Sequence, residues 1–335
     1  MPNPFLKVTI SASALCASLA APAMAQDTLA EANQREPVIV VTANRTAQPL
    51  DKVGQSITVI DSAEIERRQT QAVADILRTI PGVSITRNGG VGTSTSVFIR
   101  GAESDQTVAL VDGIKLNDPS SPGGGFNFGN LLIGNIERIE VLRGPSSVLW
   151  GSQAIGGVIN MITRQPTQDL SVNVRGEYGY RDTGQLVGNI AGKAGPLSAS
   201  VGAGYFRTDG ISAFSEARGG VEKDGYENYG ANGNVNLALS DAISIDARGW
   251  YSEGRVNIDG FPPPSFAFGD VNEESRTREI VGYTGVNAAL FDGRFRNRLG
   301  YAYTDTRRRS IALDGPATET FAGHGRNERI EYQGI

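Results

Sequence analysis

The sequence predicts an α+β domain followed by an incomplete antiparallel transmembrane β-barrel. Three observations carry this expectation. The stretch from Ile136 to Thr163 reads as a strand, a Gly-Pro turn, a Gly-rich bend and a second strand. From Leu170 onward the chain changes to segments in which apolar and polar residues alternate. Finally, 42 Gly and 10 Tyr accompany only 39% hydrophobic residues. That composition suits strands with one face in lipid and one in a polar lumen, not apolar helical spans.

The first 25 residues read as a signal peptide. Lys7 is their only charge, Val8 to Ala20 is apolar but too short to span a bilayer, and Ala23-Met24-Ala25 fits the small-x-small cleavage pattern. The mature chain is expected to start at Gln26. Cys16 lies inside this segment, and Leu15 before it rules out a lipoprotein site, so no thiol is left for disulfides or catalysis. Removing Lys7 leaves 30 basic against 36 acidic residues, a balance that argues against nucleic acid as a partner. No run of 18 apolar residues follows.

Gln26 to Arg35 is polar and Ala-rich, and is expected to be flexible. In Pro37-Val-Ile-Val-Val-Thr-Ala-Asn44, Val, Ile and Thr favour an extended chain and Pro37 blocks helix entry. An exposed segment of this kind suits pairing with another protein's sheet edge, or else forms a first strand. Ser56–Ile60 alternates as a strand. Asp61 or Ser62 caps a helix with Glu64, Ile65 and Glu66 in its first turn. Ala72–Thr79 is a second helix with Val73, Ile76, Leu77 and Ile80 on one face, stopped by Pro81-Gly82. Val83–Ile85, Val97–Gly101 and Val108–Leu116 read as strands, Asn88–Thr95 as a loop, and Pro119–Gly129 as a long Pro/Gly/Ser loop.

In the second half, Leu170, Val172, Val174, Tyr178 and Tyr180 alternate with Ser171, Asn173, Arg175 and Glu177. Similar alternation recurs around 186–194, 197–205, 229–239, 243–251, 280–290 and 295–303, with an eighth segment starting near Glu328. A soluble sandwich would alternate in the same way. The connections separate the two: tight turns at Gly195-Pro196, Ser240-Asp241 and Asp292-Gly293 alternate with long loops at 209–225, 253–276 and 306–326. Short turns on one side and long loops on the other are the barrel pattern.

Pro-Gly-Val at 81–83, Phe-Ile-Arg-Gly at 98–101, Val-Asp-Gly at 111–113 and the Ile-Glu and Arg-Gly wording of 136–144 follow one another in a single order. In that order they resemble the plug of TonB-dependent outer-membrane transporters. The resemblance implies residues 26–48 as a flexible N-terminus with a TonB box at Pro37, Val38, Ile39, Val40, Val41, Thr42, Ala43 and Asn44. It further implies a plug over 49–166 and a partial barrel over 167–335, where the complete family fold has 22 strands. On this reading the chain is a fragment of seven or eight strands in the outer membrane of a Gram-negative bacterium. TonB, energised with ExbB and ExbD, would be the partner of the box. Arg100 and Arg143 are expected either to pair with carboxylates on the barrel wall or to bond within the plug, and the plug–wall seal is expected to be polar and wet.

Tools for catalysis are sparse. His324 is the one His, and neither a dinucleotide fingerprint nor a Walker pattern occurs, so the expectation is no enzyme and no catalytic cofactor. The plug and first strands look most like the cobalamin-transporting branch. This implies corrinoid contacts at Ser94, Ser96, Glu103, Ser121 and Pro122, residues that would equally serve ordinary turns. It also implies a calcium site in the outer loops from Glu222, Asp224 and Asp259, with Ser212 where the family has an Asp. A ferric siderophore ligand is the alternative, suggested by Phe126, Phe128, Phe261, Phe266, Phe268 and Arg307–Arg309. A truncated, non-transporting binding or signalling receptor is the alternative of another class.

Overall fold

The computed structural model describes residues 38–132, 134–166, 170–220, 222–262 and 264–335. The signal peptide, the Gln26–Arg35 stretch and Pro37 lie outside them.

β1 (Ile39–Val40) and β2 (Gln48–Pro49) form a two-residue antiparallel ladder at the start of the described chain. β3 (Ser56–Ile60) leads into α1 (Ser62–Arg68), whose N-cap is Asp61. Its carboxylate accepts the Glu64 amide at 2.8 Å, which satisfies one of the orphan donors of the first turn. α2 (Val73–Leu77) buries Val73, Ala74, Ile76 and Leu77. After it β4 (Val83–Arg87) and β5 (Thr95–Ile99) pair as a separate hairpin.

The remaining strands of this domain are β6 (Thr107–Val111), β7 (Ile114–Lys115), β8 (Ile136–Arg143) and β9 (Gly157–Thr163), with a single turn α3 (Ser147–Trp150) between the last two. They join β3 in a five-stranded sheet of order β3-β8-β9-β6-β7, in which only β6 and β9 run parallel. Every residue of β6 and β9 is buried, as expected of strands covered on both faces. The single strand expected over Val108–Leu116 is in fact a hairpin. Asp112 and Gly113 both adopt positive φ (49° and 79°), the geometry that turns a chain in two residues.

Eight strands follow in strict up-and-down order: β10 (Leu170–Gly179), β11 (Thr183–Ala194), β12 (Leu197–Thr208), β13 (Tyr226–Ala238), β14 (Ile243–Gly260), β15 (Gly269–Leu290), β16 (Phe295–Ala312) and β17 (Thr318–Gly334). Burial on this sheet is inverted. Val174 is 73% exposed and Val201 62%, whereas Asn189 and Ser200 are 4% and 1% exposed. Apolar residues outside and amides inside are stable only where the outside is hydrocarbon.

The expected loops 253–276 and 306–326 are much shorter than predicted. Pairing of β14 with β15 continues to Gly260↔Gly269, and that of β16 with β17 to Ala312↔Thr318, leaving connections of 261–268 and 313–317. These upper strand ends carry charge, with Glu274 paired to both Arg255 and Arg276. The backbone ladder runs on past the outward apolar stripe, so lipid-facing alternation stops before the strand does.

The small domain lies against the polar face of the sheet. Trp250, Val281, Tyr283 and Ala302 of the wall belong to the same buried cluster as Ile76, Leu77, Ile139 and Ile159 of the plug-like domain. The seal expected to be polar and wet therefore has an apolar centre. Among the described residues neither Arg100 nor Arg143 bonds to the wall. Arg143 donates to the Pro81 carbonyl (2.7 Å) and to Thr58 Oγ1 (3.0 Å), both within its own domain. The bridges to the wall come instead from Arg308–Asp118 (3.1 Å) and Arg45–Glu331 (2.6 Å), and Arg248 donates to the Asp112 carbonyl.

Candidate functional site

The tight turns at 195–196, 240–242 and 291–294 define one end of the sheet, and the 209–225, 261–268 and 313–317 connections the other. Functional side chains gather at both ends.

At the loop end, one ligand atom each from Glu222, Asp224 and Asp259 lies within 4.8 Å of the others. Asp224 and Asp259 are positioned by backbone amides. Ala213 N donates to Asp224 Oδ2 (2.6 Å), and Phe214 N to Asp259 Oδ2 (2.5 Å). Ser212 Oγ also donates to Asp259 Oδ2, at 3.1 Å, so the Ser in place of a family Asp sits beside the cluster. Glu222 Oε1 and Asp224 Oδ1 are buried with no hydrogen-bond partner. Burial first, then the charges of Asp270, Asp224, Asp259 and Asp314, push the Glu222 carboxyl up to about 7. Burial likewise raises Asp224 to about 6, against the pull of the Ala213 amide. Two orphaned oxygens on mutually repelling carboxylates are a donor set that a hard divalent cation satisfies. Asp270, at the start of β15, and Asp314, in the 313–317 connection, belong to this acidic field and escape sequence reasoning, since neither has a spacing to flag it.

The five expected contact residues are dispersed around this end. Ser94 is exposed and lines a cavity of about 250 Å³ together with Asp224, Asp259 and Arg308. Ser96 is half-buried inside β5, paired with Thr86. Glu103 caps a short turn with Gln106, and Ser121 precedes the Pro122–Gly124 turn. These last two turns touch one another, since a methyl group added at Gly123 would collide with Asp105. Of the aromatic residues expected to face a ligand, Phe126 and Phe128 are instead core, packed edge to face at 5.1 Å. Phe261, Phe266 and Phe268 are exposed on the 261–268 connection.

At the turn end the Val38–Asn44 segment is not the free strand its composition suggests. Val40, Thr42 and Ala43 are buried. Glu140 Oε2 accepts three bonds from it: the Val41 amide (3.0 Å), the Thr42 amide (2.9 Å) and the Thr42 hydroxyl (2.6 Å). Trp150 Nε1 donates to the Thr42 carbonyl at 2.9 Å, and Asn160 Nδ2 to Thr42 Oγ1 at 3.1 Å. Arg138 pairs with the buried Glu140 at 3.0 Å. The chain bends at Val41 and turns over 42–44, so two successive amides point the same way and a fixed carboxylate collects them. Beyond it, Arg45 is tied to Glu331 and stacked over Trp150 at 4.7 Å.

A plug-like domain set against the polar face of a sheet whose outer face is apolar, with a docked N-terminal segment at one end, is the architecture of a plugged transmembrane β-barrel. Residues 49–158 match the family model of the TonB-dependent receptor plug domain, so the chain carries a plug of that family. In sequence it is similar to the vitamin B12 transporter BtuB. The Vibrio vulnificus (strain CMCP6) protein is 48% identical over 130 residues, 39% of this chain and 21% of the relative. The Photobacterium profundum protein is 31% identical over 260 residues, 77% of this chain and 41% of the relative. The chain thus spans well under half the length of these curated relatives. In fold it is similar to the ferripyoverdine receptor of the outer membrane of Pseudomonas aeruginosa, with a TM-score of 0.68 at 15% identity over 88% of this chain and 41% of that one. The siderophore receptor PirA from Acinetobacter baumannii gives a TM-score of 0.63 at 19% identity over 83% of this chain and 44% of that one.

Proposed function

We propose that the protein containing this chain imports a corrinoid across the outer membrane of a Gram-negative bacterium. In this reading TonB, driven through ExbB and ExbD, pulls on the Val38–Asn44 segment. One observation carries the substrate assignment: similarity to vitamin B12 transporters extends over 77% of the chain, past the plug and into the barrel strands and loops. The siderophore receptors share the fold at under 20% identity, which speaks for architecture alone.

The charges at the loop end support the same choice. Arg307, Arg308 and Arg309, the cluster that would attract an anionic ferric chelate, are paired with Asp305, Asp118 and Glu319. Glu222, Asp224 and Asp259 would hold calcium, which would neutralise the mutual repulsion of these acids and tie the 209–225 connection to the end of β14. A neutral or cationic ligand meets no penalty at such a rim.

Calorimetry on the receptor with its complete barrel tests the assignment. Cyanocobalamin is expected to bind more tightly than ferric siderophores, and calcium to strengthen that binding. Binding of a ferric chelate only would overturn the corrinoid assignment.

A further inference from the structure

We propose that the cavity at the turn end is a second ligand site: a transit compartment for a neutral, carboxamide-bearing ligand, with the Val38–Arg45 segment as its lid. The inference rests on the import reading above and adds a place and a chemistry to it.

The cavity measures about 430 Å³ and lies between the plug and β12–β17. Five side-chain carboxamides line it: Asn160, Gln165, Asn234, Asn236 and Asn287. Its guanidinium groups are already taken. Arg248 and Arg298 share Asp246, Arg45 holds Glu331, and Arg138 holds Glu140. An anionic chelate therefore finds no unclaimed positive charge. A ligand bearing carboxamides finds groups that donate and accept alike. Asn234 donates from Nδ2 to Ser200 Oγ (2.8 Å) and Asn287 to Asp246 (2.8 Å), which leaves their carbonyl oxygens as acceptors. Among the described residues the Asn236 amide makes no side-chain hydrogen bond.

Tyr283 lies against Gly285 and Gly300, and the Arg248 and Arg298 guanidiniums sit 4.9 and 4.8 Å from its ring, which fixes both arginines in the wall of the cavity.

Val41 and Arg45 form part of the wall, and both belong to the segment that TonB would draw out. A second cavity of about 390 Å³ shares Arg45, Asn287 and Arg298 with the first. Withdrawing the segment removes the partition between them, so a bulky ligand fits only while the lid is out. Around Asn135 and Trp250 the plug sits close to the wall. The cavity at Asn135 and Trp250 is about 30 Å³, and a methyl group at Gly254 would collide with Asn130.

The test measures surface binding and energised uptake of cyanocobalamin in the complete receptor. Three variants are compared with the parent: Asn234→Leu with Asn287→Leu, the same two positions changed to Gln, and Ser198→Trp, which fills the space without removing an amide. Surface binding within about twofold of the parent reports intact folding. Uptake is expected to fall about tenfold in the Leu pair, as for loss of two hydrogen bonds, to fall likewise in Ser198→Trp, and to recover in the Gln pair. Parental uptake in the Leu pair or in Ser198→Trp would overturn the transit site while leaving the import reading intact. So would equal loss in the Gln and Leu pairs, which would make these residues structural. A parent that binds no cyanocobalamin would overturn the import reading itself, and this site with it.

Discussion

Thr42 and Glu140 lie 98 residues apart in sequence, yet the Thr42 hydroxyl donates to Glu140 Oε2 at 2.6 Å in a site closed to solvent. The backbone amides of Val41 and Thr42 converge on the same oxygen. Hydrogen bonds to a charged acceptor contribute about 1.5–3 kcal/mol each, so this one carboxylate holds the segment in place.

Removing the Thr42 hydroxyl should loosen that hold without touching the backbone. Thr42→Val is expected to raise the undocked population of the segment about tenfold or more, one charged hydrogen bond being lost. A spin label or a protease site at Asn44 would report it. An unchanged label spectrum would mean that the bonds to Glu140 are not what keeps the segment docked.

Val40→Pro disturbs docking and coupling together and separates both from ligand binding. Val40 is buried and pairs with Gln48, and Pro cannot donate to a ladder. The segment should undock, surface binding of ligand should persist, and energised uptake should fall to background because pairing with TonB is interrupted as well. Uptake at the parental rate would remove the segment from the mechanism.

Much of this architecture is legible in the sequence where physics imposes a simple period. Leu170, Val172 and Val174 alternate because lipid outside and amides inside enforce a two-residue repeat. Val73, Ile76 and Leu77 mark a helix because one face must be buried. The upper ends of β14–β17 are not legible, since charged residues such as Arg255, Glu274 and Arg276 take the place of the outward apolar stripe while the backbone ladder continues. Docking of the segment is hidden for another reason. Thr42 and Glu140 each look like an ordinary strand residue, and only folding brings them together. The acid cluster is legible through family resemblance at Glu222, Asp224 and Asp259, whereas Asp270 and Asp314 have no pattern to reveal them.

Calcium affinity at the acid cluster should depend on pH with a definite sign. Glu222 and Asp224 titrate near 7 and 6 in the folded, metal-free protein, above their ordinary values of 4.5 and 3.8. The fold therefore holds more protons than the unfolded chain between about pH 4 and 7, and metal-free stability falls as pH rises through that window. Calcium needs the deprotonated acids, so its affinity rises over the same range. Calorimetry at pH 6.5 in two buffers of different ionisation enthalpy should show protons released on binding, and none at pH 8.5. Identical heats at pH 6.5 would argue against these groups as ligands.

The double variant Asp224→Ala, Asp259→Ala tests the same site by removal. It should abolish the strengthening of cyanocobalamin binding by calcium while leaving calcium-free binding near the parental level. A chelator added to the parent should have the same effect. Equal affinity in calcium and in chelator, with the parent protein, would count against the metal.

Gly300→Ala probes the slot beneath Tyr283. A methyl group there would collide with the ring, and overpacking of this kind costs about 1–3 kcal/mol. The variant should unfold at a lower temperature than the parent. An unchanged melting point would mean that the ring moves aside freely.

β15 has 22 residues, and only its lower part, from Ile280 on, alternates like a lipid-facing strand. At a rise of about 3.4 Å per residue and a tilt of about 40°, residues 269–279 lift the hairpin tip roughly 30 Å beyond the apolar band. The Debye length at physiological ionic strength is about 8 Å. Asp259, close to that tip, thus stands several screening lengths clear of the headgroup charges, so binding of calcium there would follow the composition of the surrounding medium and not the potential of the membrane surface beneath it.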